Sequence, residues 1–117
     1  MRITGGDFKG RKVVCPPGVI RPSMDRMRES MFAVLGNIAH CSFLDLFSGS
    51  GIVGLEAASR GAEPVVLVEK DIKKKNVLRR NAVIMGNVGS IIFMPAERYI
   101  KKFNDPFDII FLDPPFK

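Results

Sequence analysis

Asp113-Pro114-Pro115-Phe116 follows a run, Asp108-Ile109-Ile110-Phe111-Leu112, that reads as a buried strand. That spacing sets a carboxylate and an aromatic ring at the carboxyl edge of a sheet, where open α/β folds keep their chemistry. The residue types suit a planar base carrying an exocyclic amino group. Asp113 can accept one N–H, the Pro114 carbonyl ahead of the next proline can accept another, and the Phe116 ring offers a face for stacking. A rigid turn ending a strand would use the same prolines, so the motif needs a second signal beside it.

Ser48-Gly49-Ser50-Gly51-Ile52-Val53-Gly54 supplies one: G-x-G-x-x-G after a strand and before a helix. Glycines there let the backbone turn sharply and approach a ligand closely. A dinucleotide-binding dehydrogenase shares the pattern, but its loop receives a pyrophosphate. Here Asp45 ends the strand, and a carboxylate at that point repels pyrophosphate and welcomes a cationic ligand such as the amino acid end of S-adenosylmethionine; its alternative role is a helix-capping carboxylate. Glu69 closes the next strand, Val65-Val66-Leu67-Val68. A carboxylate there accepts two ribose hydroxyls, which fits an adenosyl group and NAD equally. Together with the terminal motif, the loop points to amino-directed methylation of a nucleic acid.

The elements that must hold these residues alternate. From residue 43 the pattern predicts a strand (Phe43 to Phe47), a helix (Gly51 to Arg60, ended by Gly61) and a strand (Val65 to Val68). It continues with a helix (Ile72 to Met85), a strand (Ser90 to Met94), a short helix (Ala96 to Lys102) and a strand (Phe107 to Leu112). Strand–helix alternation implies βαβ crossovers and an α/β fold with a parallel sheet and helices on both faces. Ahead of it, residues 2–14 read as a hairpin around glycine turns, carrying Arg2, Lys9, Arg11 and Lys12. A helix follows Arg21-Pro22, capped by Ser23 or Asp25, with Met24, Met27, Met31 and Leu35 as a core stripe and Gly36 as its end. One domain is expected over 1–117, with an N-terminal hairpin extension over 1–20 and a cofactor-binding core over 21–117.

A chain of 117 residues with 46% apolar composition can fill one core. Its net charge of +6 favours a polyanionic partner. Cys15 and Cys41 form no C-x-x-C pair and read as reduced; with His40 as the one histidine, no His/Cys metal set is expected. No apolar stretch approaches a membrane span and no leader pattern opens the chain, so a cytosolic protein is expected.

Asp45-Leu46-Phe47-Ser48-Gly49-Ser50-Gly51, Val68-Glu69-Lys70-Asp71 and Asp113-Pro114-Pro115-Phe116, in this order, resemble class I S-adenosylmethionine-dependent methyltransferases. Arg2-Ile3-Thr4-Gly5-Gly6 with Gly10-Arg11, and the stretch from Arg21 to Glu29, narrow the resemblance. It is to the bacterial 16S ribosomal RNA guanine-N2 methyltransferase family. The resemblance implies a seven-stranded Rossmann-like sheet and S-adenosylmethionine held by Asp45, Phe47, Gly49, Gly51 and Glu69. It also implies catalysis at Asp113, Pro114 and Phe116, and the small ribosomal subunit or its RNA as partner. After the third strand the sequence reads Met94-Pro95-Ala96-Glu97 rather than the family's usual aspartate, which leaves Glu97 as the candidate for the adenine contact. The chain stops at its fourth strand, so a fragment, or a truncated form that dimerises or swaps through that strand, is expected.

Arg2, Arg11, Arg21, Arg26 and Arg28 are candidates for RNA phosphates. For Lys73, Lys74, Lys75, Arg79 and Arg80 a solvated helix face is the preferred reading. The hairpin lysines could equally serve to block edge aggregation. Alternatives to ribosomal RNA guanine methylation are a DNA adenine-N6 methyltransferase, a nicotinamide-dependent oxidoreductase, and a nucleoside- or RNA-binding fragment without turnover.

Overall fold

A computed structural model describes residues 1–15 and 23–114. Eight regular elements organise them: α1 (Ser23–Leu35), β1 (Phe43–Asp45), α2 (Ile52–Ser59), β2 (Val65–Glu69), α3 (Lys75–Ala82), β3 (Gly89–Phe93), α4 (Ala96–Lys102) and β4 (Ile109–Phe111). The strands form one parallel sheet in the order β3-β2-β1-β4. The order reverses between β1 and β4, which makes the carboxyl ends of those strands the crevice of the fold.

Alternation along the strands covers both faces. Phe43, Val65 and Leu67 join Leu55 of α2 and Leu78 of α3 in one cluster, while Leu44, Leu46 and Val68 meet Ala96 and Tyr99 of α4 in another. Helix α2 lies close to the sheet because Gly54 has no side chain: a Cβ there would run into Leu67 Cδ2. Strands are shorter than their apolar runs suggest, since Phe47 and Leu112 already belong to the loops of the crevice. The predicted helix over Ile72 to Met85 is helical but graded. A 3-10 turn (Ile72–Lys74) capped by the Asp71 carboxylate precedes α3, and a second 3-10 segment (Val83–Val88) follows it, interrupted at Gly86 with φ 58°.

Two expectations about the N-terminal third are corrected. The methionine stripe of α1 is core only in part: Met31 is half-buried against the core, but Met27 is 70% exposed and Leu35 40%, and the residues this helix buries are Arg28 and Phe32. Phe32 stacks on Phe43 of β1 at 6.1 Å between ring centres, so the true inward face runs one position off the stripe. The predicted hairpin is a strap with one antiparallel bridge, Arg2 to Lys12, and backbone bonds from Ile3 to Arg11 and from Gly10 to Ile3. It is pinned to α2 by the fully buried Glu56. That carboxylate accepts the Thr4 and Gly5 N–H groups at 2.9 Å each, Arg28 Nε at 2.9 Å and Arg60 Nε at 2.9 Å. Burial raises its carboxyl, but Thr4 and the Arg28 and Arg60 guanidiniums outweigh that and hold it below the usual glutamate value.

Candidate active site

Sheet register brings the acidic residues of three strand ends together. Asp45 is paired with Leu67 on one side and Phe111 on the other. Glu69 therefore lies two positions further along one neighbouring strand, and Asp113 two positions further along the other. Each step is about 3.3 Å, so both carboxylates overhang the Asp45 level from opposite flanks.

Asp45 is 1% exposed; its Oδ1 accepts the Phe47 N–H at 3.2 Å, and its Oδ2 is buried without a hydrogen-bond partner. Burial raises its carboxyl to about 7; the Phe47 N–H opposes that shift, and the charges of Glu69 and Asp113 add to it. The alternative capping role is not what this carboxylate does: α2 begins seven residues later, with Gly51 before it in the left-handed region at φ 84°.

Glu69 organises the glycine loop. Its Oε1 accepts the Gly49 N–H at 2.7 Å and its Oε2 the Asp71 N–H at 2.9 Å. Each oxygen keeps a further lone pair for hydroxyl donors. The loop is closed by Gly51 N–H to the Ser48 carbonyl at 2.7 Å and by Ser48 N–H to the Val68 carbonyl at 3.0 Å. Gly51 also has no room for a side chain, because a Cβ would sit 2.7 Å from Leu78 Cδ1.

Two cavities meet over this loop. One, of about 290 Å³, is lined by Leu46, Phe47, Glu69, Ala96 and Glu97 among others; the second, of about 180 Å³, by Met1, Met24, Asp45, Ser48 and Ser50 among others. Phe47, Gly49, Lys74 and Asp113 border both. The first has the character of a nucleoside site, with apolar walls and the Glu69 acceptors. The second is lined by Asp45, whose buried Oδ2 has no partner and can accept from a cation.

All described candidates for the cofactor site, Asp45, Phe47, Gly49, Gly51, Glu69 and Glu97, thus lie on or beside one crevice, and Asp113 borders it. Pro114 is described and exposed; Phe116 and Arg21 lie outside the described residues. Arg2, Arg11 and Arg26 are exposed. Arg28 is not available to a phosphate: its guanidinium is buried, ion-paired with Glu56 and Asp25 at 2.9 Å each, and donates to the Arg2 carbonyl. The sequence does not mark Met24 or Asn81 as site residues, and it marks Lys74 only as a phosphate contact or, preferably, a solvated face. Met24 lies on the stripe that the spacing predicts as core, and Asn81 is one polar residue inside the apolar spacing Leu78, Asn81, Met85.

The strand order, the glycine loop and the acidic strand ends define an α/β, Rossmann-like fold of the class I methyltransferase kind. The C-terminal domain of precorrin-6Y C5,15-methyltransferase from Rhodobacter capsulatus shares this fold, with a TM-score of 0.73 at 16% identity over 90% of this chain and 55% of that one. The chain belongs to the family described as conserved hypothetical protein 95, whose model matches residues 1–117. It is 38% identical to the Escherichia coli protein named ribosomal RNA small subunit methyltransferase D, covering all of this chain and 61% of that protein. The Haemophilus influenzae protein of the same name is 37% identical over 99% of this chain and 64% of its own length. The solved yhhF chain from Escherichia coli superimposes with a TM-score of 0.88 at 34% identity, again over all of this chain and 64% of that one. The chain therefore spans less than two thirds of these relatives.

Proposed function

We propose that this chain carries the donor-binding and catalytic core of an S-adenosylmethionine-dependent methyltransferase acting on the N2 amino group of a guanine in 16S ribosomal RNA, in the cytoplasm. The observation that carries it is the buried Asp45, its Oδ2 unpartnered, in the lining of a crevice whose other half offers the Glu69 acceptors. A zwitterionic nucleoside with a cationic amino end satisfies both, whereas a pyrophosphate would face a carboxylate. Glu69 would hold the ribose hydroxyls, Phe47, Ala96 and Glu97 the adenine side, and Asp45 the ammonium.

When bound, S-adenosylmethionine supplies a methyl group on positively charged sulfur, open to attack by an amine. The protein's part is to make a poor nucleophile competent. A guanine amino nitrogen has its lone pair delocalised into the ring; hydrogen bonds from its two N–H groups to Asp113 and the Pro114 carbonyl favour a pyramidal nitrogen with that pair free. Positioning then supplies much of the acceleration. Phe116 is assigned to stack on the base, which must leave its RNA stack to enter. The proton lost by nitrogen goes to Asp113 or to water. The names of the relatives support ribosomal RNA as acceptor, and exposed Arg2, Arg11 and Arg26 are the described cations assigned to its phosphates.

Incubation with labelled S-adenosylmethionine and, separately, small ribosomal subunits, naked 16S RNA and DNA tests the reading. Digestion of the product should yield N2-methylguanosine from the ribosomal substrates. Label in DNA adenine, or in no nucleic acid, would overturn it.

A further inference from the structure

Asn81 of α3 is 3% exposed, and its side-chain amide makes three hydrogen bonds. Its Nδ2 donates to the Val14 carbonyl at 2.8 Å and to the Ser50 carbonyl at 2.8 Å, while its Oδ1 accepts the Val14 N–H at 3.0 Å. Two carbonyls and one N–H fix the amide orientation, because the flipped amide would place its oxygen against both acceptors. Val14 is thereby read as a strand partner would read it, and the remaining donor reaches into the glycine loop.

We infer that Asn81 is a positioning residue for the methyl donor: it holds the Ser50 carbonyl, and with it the turn from Gly49 to Gly51, in the shape that receives the donor's amino acid end. The inference rests on the donor reading proposed above. Ser50 lines the Asp45 half of the crevice, and its carbonyl directly precedes Gly51, whose φ of 84° the loop must maintain. Leu78, one turn earlier on the same helix, supports Gly51 from below. Helix α3 thus fixes the loop at two points, one apolar and one polar. The same amide ties the loop to the end of the strap, and Met1 of the strap lines the same half of the crevice. A packing role alone would need neither the second amide hydrogen nor a carbonyl of the donor loop as its acceptor.

Asn81→Ala removes every bond; Asn81→Asp, nearly isosteric, keeps an acceptor for Val14 N–H but has nothing to donate to Ser50. Both should weaken S-adenosylhomocysteine binding about tenfold, the scale of one buried hydrogen bond with its neighbour left unpaired. Both should raise the donor KM similarly while kcat at saturating donor stays near that of the unmodified protein. Phe32→Leu, a core change away from the loop, serves as the stability control and should melt earlier without changing donor affinity. Asn81 variants that melt earlier yet bind S-adenosylhomocysteine normally would overturn the inference and leave the donor reading intact. An unmodified protein that binds no S-adenosylhomocysteine would overturn the donor reading itself. If Asn81→Ala does not fold, Asn81→Asp alone decides.

Discussion

Replacing Asp45 with asparagine should change the pH dependence of donor binding as well as its strength. Burial lifts this carboxyl from 3.8 to about 7, a shift of roughly three units, or ~4 kcal/mol at about 1.36 kcal/mol per unit. The folded value lies above the unfolded one, so the group costs nothing below pH 3.8, where both states are protonated. Stability is then lost as pH rises towards about 7, where the folded state too must ionise. Asp45→Asn, with no charge to bury, should therefore be more stable than the parent without ligand at pH 8, by up to ~4 kcal/mol, with a smaller difference at pH 5. A bound ammonium reverses the preference by favouring the carboxylate. With a free-state value near 7, about half the molecules are ionised at pH 7 and about one in a hundred at pH 5, so affinity should fall roughly fifty-fold across that window. The ligand's own α-amino group, that of a free amino acid, stays protonated throughout the window. Calorimetric titration with S-adenosylhomocysteine in two buffers of different ionisation heat should detect close to one proton released per ligand at pH 6. Asp45→Asn should bind weakly, with no slope and no proton release. A flat profile in the unmodified protein, or a variant that keeps the slope, would refute the assignment of Asp45 to the ammonium.

Glu69→Ala removes the acceptor for the Gly49 and Asp71 N–H groups and should reduce S-adenosylhomocysteine affinity by ~1.5–3 kcal/mol in a calorimetric titration. Asp113→Ala should abolish methyl incorporation while leaving donor affinity close to normal, and retained turnover would show that the catalytic assignment is wrong. Glu56→Ala leaves Arg28 buried without its main partner and should destabilise the fold by ~3–5 kcal/mol, read from denaturant melts. Gly54→Ala forces a methyl group into Leu67 and should cost about 1–3 kcal/mol in the same melts, with donor affinity per folded molecule preserved.

Residues from 43 onward were legible because each parallel strand is an apolar run, although only β1 and β2 are buried on both faces and Ile110 of the expected buried strand β4 is 53% exposed; Gly61, with positive φ, ends α2. Asp45 and Glu69 could be placed for the same reason: each is the first charged residue after such a run. The methionine helix was misread because spacing alone cannot tell a stripe facing the core from one bordering a cleft; Phe32 and the charged Arg28 carry the burial instead. Arg28 reads as a phosphate contact in the sequence, but its partner, Glu56, comes from a helix 28 residues away. That pairing, like the Asn81 bonds to Val14 and Ser50, is a long-range event with no local signature. A lone polar residue within the apolar spacing of α2 and of α3 was the only trace either left in the sequence.

A crystal structure with S-adenosylhomocysteine tests the central claim most directly. The account predicts ribose hydroxyls on Glu69, the ammonium on the Asp45 oxygen that now lacks a partner, and the sulfur facing Asp113. A ligand seated away from these strand ends, or one whose amino acid end points away from Asp45, would contradict it.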